Sequence, residues 1–140
     1  MTHPPRFPVV VDASIAIKWL LDEPGTEPAI HLIRQGGPLL APDLLLVETA
    51  NVLWKKVRRG DMRLPDLPRA LGGLLALDIE VHGSAPLLSR ATNLAIEIGH
   101  PVYDCLYLAL AVETNAPLAT ADRRLRRAAA GVGIGLWDGL

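Results

Sequence analysis

Four carboxylates stand where they could act on one substrate: Asp12, Glu48, Asp104 and Asp122. Asp12 closes the apolar run "VVV", and Asp122 closes "PLATAD". Glu48 lies in the first two turns of the amphipathic stretch that follows "LLAP". Asp104 sits in the first turn of "HPVYDCLYLALAVE", between Val102, Tyr103, Cys105 and Leu106. Aspartate is almost never fully buried unless something pairs with it. Carboxylates gathered in one crevice repel one another, which favours protonation of some of them or a looser site. A divalent cation removes that conflict. All-oxygen ligation selects a hard ion, and Mg²⁺ characteristically takes one or two carboxylates, several waters and substrate phosphate oxygens. Zinc does not fit, because the lone Cys105 and the scattered His3, His31, His82 and His100 form no ligand set. The expectation is that Asp104 holds a metal.

Each acid also has a plain alternative. Asp12 could end its strand or cap the next helix. Asp122 could cap "RRLRR" or pair with Arg126 four residues on. Glu48 could be a solvated helix position. Their joint placement favours the chemical reading. Asp43, after Pro42 at a helix start, reads as an N-cap rather than a fifth ligand, and Cys105 as a small buried hydrophobe.

The elements that must position these acids alternate along the chain. "FPVVVD" is a short buried strand, and Ser14 is a candidate N-cap for the helix "IAIKWLL". After the break at Pro24-Gly25, "TEPAIHLIRQ" is helical and "LLAP" is a second strand. A long helix starts near Asp43 and stops at Gly60. "LPDLPRALGGLLAL" is a weaker helix, "IEVHG" a third strand, and "PLLSRATNLAIEIG" a helix ending on Gly99. The helix holding Asp104 runs to about Asn115, "PLATAD" is a fourth strand, "RRLRRAAAG" a short helix, and "GIGLW" a candidate fifth strand. Apolar strands alternating with helices predict an α/β domain with a parallel sheet of four to five strands covered by helices on both faces. In such sheets, ligands bind beyond the carboxyl ends of the strands, where Asp12 and Asp122 fall.

A chain of 140 residues fits one domain. Half of it is hydrophobic and its formal charge is -1, so it is no disordered segment, and any polyanion site must be a local basic patch. The single cysteine rules out an intramolecular disulfide and suits a reducing cytoplasm. Asp12 and Lys18 interrupt the N-terminal apolar run, so neither a signal peptide nor a membrane span is expected.

Together, "VVVDAS", "APDLLLVETANVL", "YDCLYLALA" and "ATADRRL" resemble the PIN-domain ribonucleases, specifically the VapC-type toxins of toxin–antitoxin pairs. The resemblance spans nearly the whole chain, residues 1–140 as one PIN-like nuclease domain. It implies a five-stranded parallel sheet and Mg²⁺- or Mn²⁺-dependent hydrolysis of RNA, leaving 5′-phosphate and 3′-hydroxyl ends. The family's acids fall on Asp12, Glu48, Asp104 and Asp122. Asp12 and Asp104 would contact the metal, while Glu48 and Asp122 would complete the site or act through water. Supporting roles are suggested for Ser14, Asn51 and Thr120, each of which also has an ordinary structural reading. A homodimer and a tight complex with a cognate antitoxin are implied as well, with Trp19, Leu20 and Leu21 as candidates for either a contact surface or core packing.

RNA approaching an acidic pocket needs basic flanks. Nine of the 14 Lys and Arg residues fall in two groups: Lys55, Lys56, Arg58, Arg59 and Arg63, then Arg123, Arg124, Arg126 and Arg127. Lys55 and Arg59 continue the face of Glu48 at helical spacing, and the second group directly follows Asp122. Either group could hold phosphates or simply be a solvated face. Two other enzyme classes fit less well. An aspartyl phosphotransferase would want a second acid where Ser14 stands, and a receiver domain would want a strand-end lysine that "PLATAD" lacks. The non-enzymatic alternative is an inactive RNA-binding or protein-interaction module on the same fold.

Overall fold

The computed structural model describes residues 7–21 and 26–137. The expected break at Pro24-Gly25 lies outside them. Four parallel strands, β1 (Val9–Val11), β2 (Leu39–Pro42), β3 (Glu80–His82) and β4 (Leu118–Ala119), form one sheet in the order β3-β2-β1-β4. Among the described residues seven α-helices lie between or after them: α1 (Ala13–Leu20), α2 (Thr26–Arg34), α3 (Leu44–Arg58), α4 (Leu67–Ala76), α5 (Leu88–Ile98), α6 (Val102–Thr114) and α7 (Arg123–Gly131).

Burial explains the strand composition. Val9, Val10 and Val11 are all buried although successive side chains leave opposite faces, so both sides of β1 are covered. β3, at one edge of the sheet, departs from this, with Glu80 and Val81 exposed. The main core gathers residues of β1, β2 and β4 with Ile15, Leu45, Leu125 and the middle of α6. A smaller cluster of Ile17, Leu53 and Ala70 joins α1, α3 and α4. α6 is buried from Cys105 to Ala111, which accounts for its nearly unbroken apolar sequence. Trp19 packs on the main core and donates its indole N–H to the Ala29 carbonyl at 2.7 Å, and Leu21 packs on the smaller cluster. Packing therefore accounts for these two candidate contact residues.

Three expectations need correction. Ser14 is not the cap of α1. The helix starts at Ala13, and the Asp12 carboxylate caps it by accepting from the Ile15 N–H at 3.3 Å. Asp43 stands at the N-cap position of α3, but its carboxylate makes no capping bond and instead accepts from the Ser84 hydroxyl and N–H, tying the end of β2 to the end of β3. The fifth strand shrinks to a single parallel bridge between Leu118 and Leu136. Gly133 takes a left-handed conformation (φ 76°), so the tail turns only just before reaching the sheet edge.

No single helix among the described residues is long and apolar enough to cross a membrane.

Candidate active site

Asp12 follows β1, a central strand, and is itself buried. Two hydroxyls grip its carboxylate. Ser14 donates to Oδ1 at 2.6 Å, and Thr120, just past β4, donates to Oδ2. Each hydroxyl in turn accepts a backbone N–H from the loop into α7, Ser14 from Ala121 at 2.8 Å and Thr120 from Asp122 at 3.0 Å. This lattice sews the ends of β1 and β4 together and gives Ser14 and Thr120 defined places beside the acid. Asn51 is exposed on α3 and takes no part in it.

Burial pushes the Asp12 carboxyl up from 3.8 to about 6; bonds from Ser14, Thr120 and the Ile15 N–H oppose the rise, and the charge of Asp122 adds to it. Asp122 also caps α7, accepting from the N–H groups of Arg124 at 2.9 Å and Leu125 at 3.4 Å. Arg126 does not need it as an ion-pair partner, since its guanidinium donates to the Thr120 carbonyl at 3.2 Å.

Glu48 and Asp104 form a second coupled pair. Burial raises the Glu48 carboxyl, the hydrogen bond from Tyr107 lowers it, and the charge of Asp104 raises it further. The Tyr107 hydroxyl donates to Glu48 Oε1 at 2.6 Å, bridging α6 and α3. Tyr107 is 1% exposed, and its hydroxyl is held far above its ordinary range by burial, by that bond, and by the charges of Glu48, Asp12 and Asp104. The tyrosine thus stands within the field of three of the four acids. Asp104 does not cap its own helix, as α6 has no side-chain cap bond; its Oδ2 lies 2.8 Å from His100 Nε2. Cys105 is buried, and burial raises its thiol, which agrees with an inert hydrophobe.

Tyr107 and His100 are the site residues that sequence reasoning passed over. Tyr107 had a local signal, three positions after Asp104 on the same helix, whereas His100 precedes the start of α6 at Val102 and helical spacing does not announce it.

The donors fit a hard divalent cation. They are oxygen-only and lie in two charge-paired couples, Asp12 with Asp122 and Glu48 with Asp104, of which Asp12 and Glu48 are desolvated by burial. As placed, no three metal-ligating side chains converge closely enough to hold an ion among the described residues. A Mg²⁺ site needs only one or two carboxylates, with waters filling the rest.

A parallel α/β sheet with carboxylates at its carboxyl edge is the PIN architecture, and the chain belongs to the PIN-domain family, whose pattern matches residues 9–131. Within the family it sides with the VapC-type members. It is 37% identical over 119 residues to Ribonuclease VapC3 of Pyrobaculum aerophilum, covering 84% of this chain and 91% of that one. The crystal structure of PAE2754 from the same organism superposes with a TM-score of 0.69 at 27% identity, over 87% of this chain and 79% of that one. The Mycobacterium tuberculosis toxin VapC20, described as cleaving the sarcin–ricin loop, shares the fold at 17% identity, with a TM-score of 0.66 over 90% of this chain and 95% of that one.

Proposed function

We propose that residues 1–140 act as one metal-dependent endoribonuclease, hydrolysing phosphodiester bonds of single-stranded or structured RNA as the toxin of a VapBC-type pair in the cytoplasm. The observation that carries this is the pairing of four carboxylates in a PIN fold, Asp12 with Asp122 just past the ends of β1 and β4 and Glu48 with Asp104 beside them, with Asp12 and Glu48 desolvated by burial. Likeness to a relative named Ribonuclease VapC3 supports the substrate class. Solved relatives titled as a toxin–antitoxin complex and as VapBC2 share the fold and agree with an antitoxin partner. A homodimer belongs to the same proposal.

In this reading Asp12 and Asp104 hold Mg²⁺, with Mn²⁺ as a substitute. When bound, the ion would neutralise the phosphate and activate water. Glu48 keeps one oxygen on Tyr107, and its raised carboxyl suits it to take a proton from the attacking water. Asp122 would orient the water from the other side. The lattice of Ser14 and Thr120 fixes Asp12 against rotation. Antitoxin-free protein should cleave single-stranded RNA with Mg²⁺ or Mn²⁺ and stop in EDTA. Metal-independent binding without any cleavage would instead identify the inactive module.

Substrate grip is assigned to α3. Lys55 and Arg59 are exposed, whereas Arg58 lies over the Trp54 ring at 5.4 Å. Changing both Lys55 and Arg59 to alanine should remove two phosphate contacts. The slope of log affinity against log salt for single-stranded RNA should then flatten by about 1.4. An unchanged slope in a filter-binding titration would make this an ordinary solvated face.

A further inference from the structure

His100 is an unusual residue for its place. Its side chain is 7% exposed, at the junction of α5 and α6, and it packs beside a carboxylate rather than in a wholly apolar hole. The backbone around it is locked from both sides. Gly99 before it takes the left-handed conformation (φ 65°), and Pro101 after it has a fixed φ and no N–H. The His100 N–H is bonded to the Ala95 carbonyl at 3.2 Å, and the His100 carbonyl accepts from the Cys105 thiol at 3.8 Å. A histidine so anchored presents its ring in one direction.

That direction is Asp104. An ionised carboxylate only accepts, so the 2.8 Å contact is a bond from Nε2–H to Oδ2. An aspartate in the first turn of a helix would ordinarily be expected to serve the free backbone N–H groups there. Here the recorded partner is the histidine.

We propose that His100 is the positioning residue for Asp104: its Nε2–H holds one carboxylate oxygen and so turns the other toward the divalent cation. This rests on the assignment of Asp104 as a metal ligand. The physical basis is general. A ligating carboxylate pays less to bind an ion when an outer hydrogen bond has already fixed its rotation, and losing such partners characteristically costs about 10–100-fold in metal affinity. Nε2 is not a metal donor in this arrangement, because it is committed to the acid.

The test is Mn²⁺ binding to the antitoxin-free, metal-free full chain, read from the electron paramagnetic resonance of the unbound ion. His100→Phe fills the space without a donor and should weaken Mn²⁺ binding about tenfold. His100→Gln keeps an N–H donor at similar reach and should stay within about threefold of wild type, again on the scale of supporting contacts. Should His100→Phe fail to give a cooperative melt, His100→Asn, whose shorter amide does not reach Asp104, replaces it with the same expected loss. Cleavage by the weakened variant should recover toward the wild-type rate at saturating Mn²⁺, the sign of an affinity defect. Asp104→Asn is the reference. If it loses Mn²⁺ while the folded donor-free His100 variant binds like wild type, the positioning role is wrong and the metal site stands. If Asp104→Asn itself binds like wild type, the ligand assignment fails.

Discussion

Asp12→Asn and Asp104→Asn are each expected to lower Mg²⁺-supported RNA cleavage by more than the roughly 10–100-fold that losing an outer supporting contact costs. Both changes keep the size of the side chain and remove its charge, so what they report is the carboxylate. At Asp12 the amide still offers an oxygen to the Ile15 N–H, and α1 keeps its cap. At Asp104 the amide oxygen can still accept from His100. The fold should therefore survive in both, and the defect should lie in the chemistry. Asp122→Asn makes the informative contrast. Its carboxylate is exposed and already engaged with two N–H groups of α7, and asparagine caps a helix as well as aspartate does. A smaller loss is expected there, confined to the charge that reaches Asp12. Single-turnover cleavage of one RNA, with melts alongside, measures all three. Undiminished cutting by a folded Asp12→Asn or Asp104→Asn protein would remove that residue from the metal site.

The contrast among these acids was only partly legible in the sequence. The sequence put Asp12 at the end of a strand and Glu48 and Asp104 near the starts of helices, which is where β1, α3 and α6 hold them, and burial on both faces of β1 explains its unbroken apolar run. The helix cap at Asp122 was legible as one of its two alternatives, and the structure bears it out, whereas its exposure came from the fold. The β3 edge was not visible, since "IEVHG" reads the same whether its faces are covered or open. The tail was over-read as a strand because Gly133 looks neutral in a pattern of alternating glycines, whereas its left-handed backbone delays the approach to β4. The bond between Tyr107 and Glu48 joins residues 59 positions apart, and no local spacing announces it. His100 lies before the start of α6 and a lone histidine carries no weight as a ligand, so its value appears only in the carboxylate it touches.

Desolvation of Asp12 predicts an unusual stability profile for the metal-free protein. Its carboxyl is raised from 3.8 to about 6, so between those values the folded state holds more of the proton than the unfolded chain does. Stability from this group is then full below pH 4 and falls as pH rises through about 6, by on the order of 3 kcal/mol at neutrality. Asp12→Asn removes that penalty and forfeits about 1 kcal/mol from one of the hydroxyl bonds. In EDTA at pH 7 the variant should thus melt about 7 °C above wild type, for a chain of this length. At pH 4 the difference should vanish or reverse, and because other ionisable groups are common to both proteins, the comparison isolates this one. Mg²⁺ acts in the opposite sense. At roughly ten times its dissociation constant it stabilises the wild type by about 1.4 kcal/mol, near 5 °C, while the variant, short of a direct ligand, should gain little. Asp12 suits this measurement better than Asp104, whose carboxylate also satisfies the buried His100 and whose removal would mix two effects. If Asp12 were only the cap of α1, a role that asparagine also fills, Mg²⁺ would shift neither melt. Four melting curves, two proteins with and without the ion, repeated at pH 4 and pH 7, separate a carboxylate kept for a cation from one kept for a helix.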